Sequence, residues 1–540
     1  MSNDVFSNKF ANDIYLQKYS LDGAEKWKDT CRRVVTAVCG QLLDTDTQEK
    51  IYKLMVERKF IPGGRYLYSA GRPFHQVNNC FLFRAEDSRE GWADAMQKAT
   101  AALMTGGGIG FDYSSLRAEG AKIKKTGGTS TGPLALMNMV NEAGRYIMQG
   151  GQRRSAIWAG LTWSHGDILK FMALKDWPAD VRAIKEKDFT FPVPMELTNI
   201  SVIYDTEFYI AMNNPQHPKH AIAKEVWDKN CLQAFSTAEP GMSFNFRKDN
   251  ESLRNACTEV VSEDDSDKCN LGTLWINRFE SKEEFKKATE LATKFLICGG
   301  IYSDVPFERI REVGNKNNRI GLGLGGMHEW LMVRGHSYEV VPELHKWLKI
   351  YEDESDSAAF ITARELGVSV PKGVRAIAPT GTIGIIAETT TGIEPLFCKA
   401  YKRRYLKGKD NWVYQYVVDG TVKRLLEQGV KIESIQDAYD ITFKDRVKFQ
   451  ADVQNYVDMA ISSTCNLPQW GSDLNNEKTL ESYSKILLNY SKRLRGFTCY
   501  PDGARGGQPL TRVDISEAMA NEGVIFEENL TECVGGVCGI

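Results

Sequence analysis

Residues 253–272 read LRNACTEVVSEDDSDKCNLG, and the segment Asn255-Ala256-Cys257-Thr258-Glu259 within them decides how the chain is organised. In an extended segment, residues at i, i+2 and i+4 point to one side. Asn255, Cys257 and Glu259 would then present an amide, a thiol and a carboxylate to one small volume. That is a hydrogen-bonding group, a sulfur redox centre and a base. A second cysteine follows at Cys269. Taken alone the pattern also fits a surface loop with a buried cysteine, so its flanks decide. Upstream, ELTNISVIYD, HAIAKEVWDKNCLQAFS and GMSFNF alternate strand-like and helix-like patterning over 197–250; downstream, LGTLWIN is strand-like and 282–300 helical. Such strand–helix–strand alternation predicts an α/β fold, with the cysteine segment between two of its strands.

A chain of 540 residues buries a large core. Its length allows several domains, but α/β barrels run long as one. A net charge of −2 advertises neither a nucleic acid polymer nor an acidic membrane as partner. The N-terminal MSNDVFSNKFANDIY is polar and lacks the apolar core of a signal peptide. No apolar run approaches the ~20 residues of a membrane helix. The expected location is the cytoplasm, where the twelve cysteines stay reduced and selected ones are catalytic more often than structural.

Residues 8–60 carry apolar side chains at helical spacing, as in WKDTCRRVVTAVCGQLL and IYKLMVERKF, predicting an N-terminal helical region. Gly63-Gly64 marks a turn, and Cys80 opens the buried strand CFLF. Residues 105–160 are glycine-dense but match neither Gly-x-Gly-x-x-Gly nor the phosphate loop with Gly-Lys-Ser/Thr. Their glycines suit sharp turns or close backbone approach to a ligand. LALMNMVNEAGRYIM, 134–148, suits an amphipathic helix. RIGLGLGGM, 319–327, reads as a closely packed strand, and 336–366 as helix. In VRAIAPTGTIGIIAETTTGIEPLF, 374–397, a short strand ends at Pro379 and a helix start follows, whose hydroxyls and free N–H groups suit an anion. Residues 400–495 read as mostly helical and charged, with KRRYLKGKDNW a solvated basic turn. Cys533 and Cys538 flank Val-Gly-Gly-Val near the end of the sequence. A zinc site would need two further ligands, and none is local. A redox pair on a mobile arm is the better reading, and no metal site is expected.

NACTE, the KCNLG cysteine, the glycine-rich order of 105–160, PTGT and TTTGIEP together resemble the large catalytic subunit of ribonucleotide reductases, over about residues 60–540. The resemblance implies a ten-stranded α/β barrel with a central finger loop. It places the barrel at 61–515, after the helical region 1–60, with a flexible redox tail at 516–540. No room remains before residue 60 for the ATP cone of some reductases, so no overall activity switch is expected. The implied reaction is thiyl-radical reduction of ribonucleotides to 2′-deoxyribonucleotides for DNA synthesis. Cys257 would carry the radical, Glu259 act as base, Asn255 orient the sugar, and Cys80 with Cys269 form the dithiol that ends as a disulfide. Substrate would bind at Asn79, Gly108, Pro379, Thr380, Gly381, Thr382 and Ile383, although other reductases place more serine or an acid in that phosphate loop. A deoxynucleotide or ATP effector would bind at Asp87, Arg117, Ile123 and Arg153, within an effector and dimer region at about 85–160. The loop 150–154 would pass effector identity to the substrate, and the 134–148 helix would form a homodimer interface.

The resemblance also implies an external dithiol, a thioredoxin- or glutaredoxin-type protein, that reduces the tail pair Cys533 and Cys538. A thiyl radical needs a cofactor to generate it. TCYPDGARGGQPL and the short interval from Cys257 to Cys269 favour adenosylcobalamin. A separate dimetal radical subunit, relayed through Tyr500, is the other source; that branch uses two adjacent tyrosines where this chain has Cys499-Tyr500. The glycyl-radical Arg-x-x-Gly-Tyr motif is missing. Two readings from other classes are a thiol–disulfide oxidoreductase, which leaves PTGT and Glu259 unexplained, and an inactive nucleotide-binding regulator, which should have lost a cysteine of the redox set.

Overall fold

A computed structural model describes all residues except 1–5, 8, 125, 148–154, 189–190, 249, 408–410, 505–509 and 528–540. Arg153 with the 150–154 loop, and Cys533 with Cys538, therefore lie outside the described residues. The N-terminal helices Lys9–Lys18, Trp27–Cys39 and Thr45–Val56 follow the predicted periodicity. Trp27, Cys31, Val34, Val35 and Val38 form the buried stripe of the second, and Asp44 caps the third by accepting from Thr47 N. These helices pack with Lys282–Tyr302 into one apolar cluster. Among the described residues no helix is long and apolar enough to cross a membrane.

The centre of the molecule is a ring of ten strands. Nine are β1 Cys80–Arg84, β2 Gly108–Asp112, β3 Ile157–Thr162, β4 Thr198–Tyr204, β5 Gly241–Phe244, β6 Asp267–Trp275, β7 Ile320–Gly325, β9 Thr464–Leu467 and β10 Gly496–Pro501; the tenth, β8, is the singly bridged segment 374–377, while the short strand Phe60–Pro62 adds to β6 from outside the ring. β1 to β5 are parallel neighbours. β6 and β7 are parallel, as are β9 and β10. The halves meet antiparallel, β6 on β1 and β10 on β5. β8 closes the ring through the bridges Leu322↔Arg375 and Ile377↔Ile461. Helices such as Arg89–Met104 and His220–Thr237 cover the outside in a second apolar cluster. The ten-stranded barrel expected from the resemblance is therefore the fold.

The reading of residues 400–495 fails in part. Within 400–495, Ala400–Lys407 and Asn411–Val418 are not helix or basic turn but an antiparallel hairpin. Strands Leu510–Arg512 and Ile525–Glu527 complete it as a separate four-stranded sheet. The period-two order of Tyr401, Arg403 and their partners is the strand signal, which the dense positive charge masked. Lys402 shows how such charge is accommodated: its Nζ lies 5.2 Å from the Tyr416 ring centroid. The same sheet takes up part of the segment read as a flexible tail from 516. Helix Ile515–Ala520 buries Ala518, and Tyr416 donates to Glu517 at 2.6 Å. That short polar segment is held by edge-strand hydrogen bonds, which its composition does not reveal.

Candidate active site

Between β5 and β6 the chain enters the barrel as a finger. Leu253–Arg254 pairs antiparallel with Val261–Ser262. The tip is a turn, closed by Thr258 N donating to Asn255 O at 3.0 Å, with Thr258 in the left-handed region at φ 70°. This corrects the extended reading of the tip: Asn255 and Glu259 are buried, whereas Cys257 is exposed at the apex. Glycines make room for the finger. A Cβ on Gly110 would lie 1.8 Å from the Arg254 carbonyl oxygen, and one on Gly108 would lie 3.1 Å from the Ala256 Cβ. Gly108, expected against substrate, thus also supports the finger. Ala460 N binds Glu259 O at 2.9 Å.

The turn still gathers the three functional groups. The Asn255 Nδ2 donates to the Cys80 sulfur at 2.9 Å, and its Oδ1 accepts from Val260 N at 3.0 Å. Cys80 and Cys269 are direct cross-strand partners of β1 and β6. Directly paired antiparallel residues have Cα separations of about 4.5–5.5 Å, within the range a disulfide spans. Cys80, Cys269, Leu253, Val260, Val261, Ala376 and Ala460 share one interior apolar cluster, with Ala378 packed against it. Residue 378 leads straight into Pro379, so the PTGT segment leaves the barrel beside the two cysteines.

Burial sets the protonation states. It pushes Glu259 up to about 7, opposed by its own backbone N–H and the Asn255 amide. Its Oε2 is buried without a partner among the described residues. The Cys80 thiol is raised by burial, then by Glu259 and the other two cysteines, and the Asn255 amide opposes this. Cys269 is raised by burial, Asp267 and Glu259. Cys257 keeps contact with solvent, yet the protein packed around it and the Glu259 carboxylate raise its thiol too.

The remaining expected residues take these places. Asn79 N donates to Cys269 O at 3.1 Å and Asn79 O accepts from Gly108 N at 2.9 Å; its side-chain Oδ1 is buried without a partner among the described residues. Pro379 and Gly381 are exposed, and nothing lies within 4 Å of a Cβ built on Gly381. Thr380 is left-handed at φ 50°, and its hydroxyl accepts from Gly392 N at 3.2 Å. Ile383 turns into the core, so only its backbone is available to a ligand. Asp87 pairs with Arg117 at 2.7 Å. Arg117 also donates to Lys122 O at 3.4 Å, beside Ile123. Cys499 faces the outer core; by strand alternation its neighbour Tyr500 faces the barrel interior.

Two features escaped the sequence reading. Arg254, fully buried in the finger stem, donates to Glu251 O at 2.6 Å and to the Asn245 side chain. Burial and the Arg495 guanidinium lower it to about 9. Asn199 on β4 donates to Ala256 O at 3.3 Å. No periodicity or motif marks either residue; both look like ordinary polar positions.

The site combines an exposed cysteine on an interior finger with a cross-strand cysteine pair inside an α/β barrel, the arrangement of a barrel oxidoreductase. The chain belongs to the ribonucleotide reductase family, whose barrel-domain model matches residues 78–186, 181–345 and 372–500. It is 27% identical to a vitamin B12-dependent ribonucleoside-diphosphate reductase of Thermoplasma acidophilum, covering 88% of this chain and 68% of that one. It is 26% identical to the protein of that name from Mycobacterium tuberculosis strain CDC 1551, covering 91% and 76%. The fold matches the Actinobacillus ureae class Id ribonucleotide reductase alpha subunit with a TM-score of 0.73, over 92% of this chain and 97% of that one, at 16% identity. Reduction of ribonucleotides is accordingly the reaction this site must explain.

Proposed function

We propose that the chain reduces ribonucleotides through a thiyl radical on Cys257 and a dithiol formed by Cys80 and Cys269. The thiyl takes the 3′ hydrogen atom, leaving Cys257 as a thiol and a carbon radical at C3′. Glu259, poised near neutrality, accepts the 3′-OH proton. Asn255 orients the sugar hydroxyls. The 2′-OH departs as water with a proton from Cys80 or Cys269. The other thiol of the pair gives its hydrogen atom to C2′, the remaining electron reduces the 3′ carbonyl as Glu259 returns its proton to that oxygen, the pair ends as a disulfide, and the hydrogen on Cys257 returns to C3′. The balance is ribonucleotide plus dithiol to deoxyribonucleotide, water and disulfide. The observation that carries this reading is the cross-strand register of Cys80 and Cys269, with the Asn255 amide on the Cys80 sulfur.

Adenosylcobalamin is the favoured radical source, supported by the vitamin B12 dependence in both relatives' names and by the TCYPDGARGGQPL segment. Cys257 fits such a group as the exposed thiol of the site. When bound, that cofactor supplies the one-electron oxidant for the thiol. A separate dimetal subunit is the second reading, favoured by the inward-facing Tyr500. Substrate phosphate binds at Pro379–Ile383, where the N–H groups of Thr380 to Ile383 at the helix start lack intrahelical partners. A deoxynucleotide or ATP effector binds at Asp87, Arg117, Ile123 and Arg153, beside a homodimer interface on helix Pro133–Tyr146. The chain works in the cytoplasm, and Cys533 and Cys538 pass electrons from a thioredoxin- or glutaredoxin-type protein. The test is to incubate the chain with ribonucleotide, effector, dithiothreitol and adenosylcobalamin. Deoxynucleotide that disappears without the cobalamin, and in Cys257→Ser, is the expected result. No product with effector binding intact would overturn the cofactor assignment and direct the search to a metal subunit.

A further inference from the structure

The active groups collect at one end of the barrel, where β1 to β5 begin. Cys80 and Gly108 are the first residues of β1 and β2, and Asn199 is the second of β4. On β4, Ile200, Val202 and Tyr204 join the outer apolar core, so Asn199, Ser201 and Ile203 point inward. Ser201 is buried, accepting from Trp158 Nε1 at 2.9 Å, and Ile203 is buried as well. Asn199 is the exposed position of the strand. Asn199 therefore keeps solvent access on the inward side of a central barrel strand. Its Nδ2 donates to the Ala256 carbonyl, whose peptide leads into the exposed Cys257. That acceptor fixes which end of the amide carries the N–H. Among the described residues no donor meets the Asn199 Oδ1, which stays free to accept.

We propose that Asn199 is a substrate-binding residue. Its N–H group fixes the peptide carrying Cys257, and its carbonyl oxygen accepts a hydrogen bond from a hydroxyl or amino group of the bound ribonucleotide. The pairing couples the place of the substrate to the place of the attacking sulfur through one rigid amide. This rests on the reading of Cys257 as the thiyl position.

The test measures ribonucleotide Kd in a Cys257→Ser background, where no chemistry follows binding, with and without Asn199→Ala, effector present. Loss of one neutral hydrogen bond weakens Kd by about fivefold. With Cys257 intact, Asn199→Ala should raise KM by a similar factor and lower kcat, since both arms of the amide are lost. Effector binding at the distant Arg117 site checks the fold. If Asn199→Ala loses it, Asn199→Ser is read by the same criterion. An unchanged substrate Kd overturns the inference alone. Turnover by Cys257→Ser would overturn the reading of the finger tip and the inference with it.

Discussion

Gly110→Ala tests whether finger position controls the chemistry. A methyl group at Gly110 would meet the Arg254 carbonyl oxygen at 1.8 Å and its carbon at 2.9 Å, whereas ordinary contact begins at 3.4 Å. The finger stem would have to retreat by roughly 1.6 Å. Neither side yields easily. β2 is paired on both edges, to β1 and β3, and the Arg254 guanidinium is tied to Asn245 and Glu251. A reacting group misplaced by about 1 Å loses on the order of 100-fold in rate. The kcat of Gly110→Ala should fall at least that far, with about 1–3 kcal/mol of stability lost to overpacking. Gly108→Ala is the graded control: its methyl meets only the Ala256 methyl, at 3.1 Å, a shift of a few tenths of an ångström. It should lose no more than about tenfold by the same reasoning. The assay is deoxynucleotide formed per active site with radical source, effector and dithiol saturating, and effector binding checks the fold. Gly110→Ala within about threefold of the parent, or Gly108→Ala the worse of the two, would refute the argument.

Three further outcomes follow from the same geometry. With Glu259 raised to about 7, single-turnover rate should climb as pH rises toward 7 and then level; Glu259→Gln should lose about 100-fold or more and the limb itself. Its folded pKa exceeds the ordinary 4.5, so the folded state holds the proton tighter and stability falls as pH rises between those values; Gln should stabilise the chain at pH 8, by thermal melting. Without external dithiol, one turnover should convert Cys80 and Cys269 from free thiols to a disulfide, seen by thiol titration, and Cys269→Ser should abolish multiple turnover. Arg117→Ala should remove effector binding while shifting stability by less than about 1 kcal/mol, because the Asp87–Arg117 pair is about a third exposed on each side.

Strand–helix alternation made β4 and β5 legible, and the apolar CFLF marked β1, whereas β2 lay hidden in the glycine-dense 105–160 stretch and β3 began within it. β8 was legible as the short strand ending at Pro379, although residues 374–377 touch their neighbours by single bridges only. The 400–418 hairpin failed because charge concealed alternation. NACTE located the finger, yet the tip's shape depends on Thr258 adopting a left-handed backbone, which composition does not announce. The meeting of Cys80 with Cys269 came from the family resemblance; nearly two hundred positions of intervening sequence carry no distance information. Arg254 and Asn199 were silent for another reason. Their roles come from neighbours on distant strands, and nothing in their own sequence surroundings differs from a solvated position.

The electrostatics of the site divide its cycle in two. Cys80, Cys257 and Cys269 are all raised by burial, and the Glu259 carboxylate adds to each. The reduced site therefore holds three protonated thiols beside a carboxyl that titrates near neutrality. That suits hydrogen-atom and proton donation, since each S–H bond stays intact until the substrate needs it. It is unsuited to thiol–disulfide exchange, where the thiolate attacks. Re-reduction must then begin from a thiolate brought in from outside the pair, and the buried cysteines act only as the attacked disulfide. Single-turnover and multiple-turnover pH profiles should differ accordingly. Both carry the Glu259 limb near 7, whereas only multiple turnover follows the ionisation of the incoming dithiol, and that limb should move when a dithiol of different acidity is supplied. A limb common to both profiles and indifferent to the dithiol would mean that a thiolate within the barrel drives exchange, contrary to the upward shift of all three thiols.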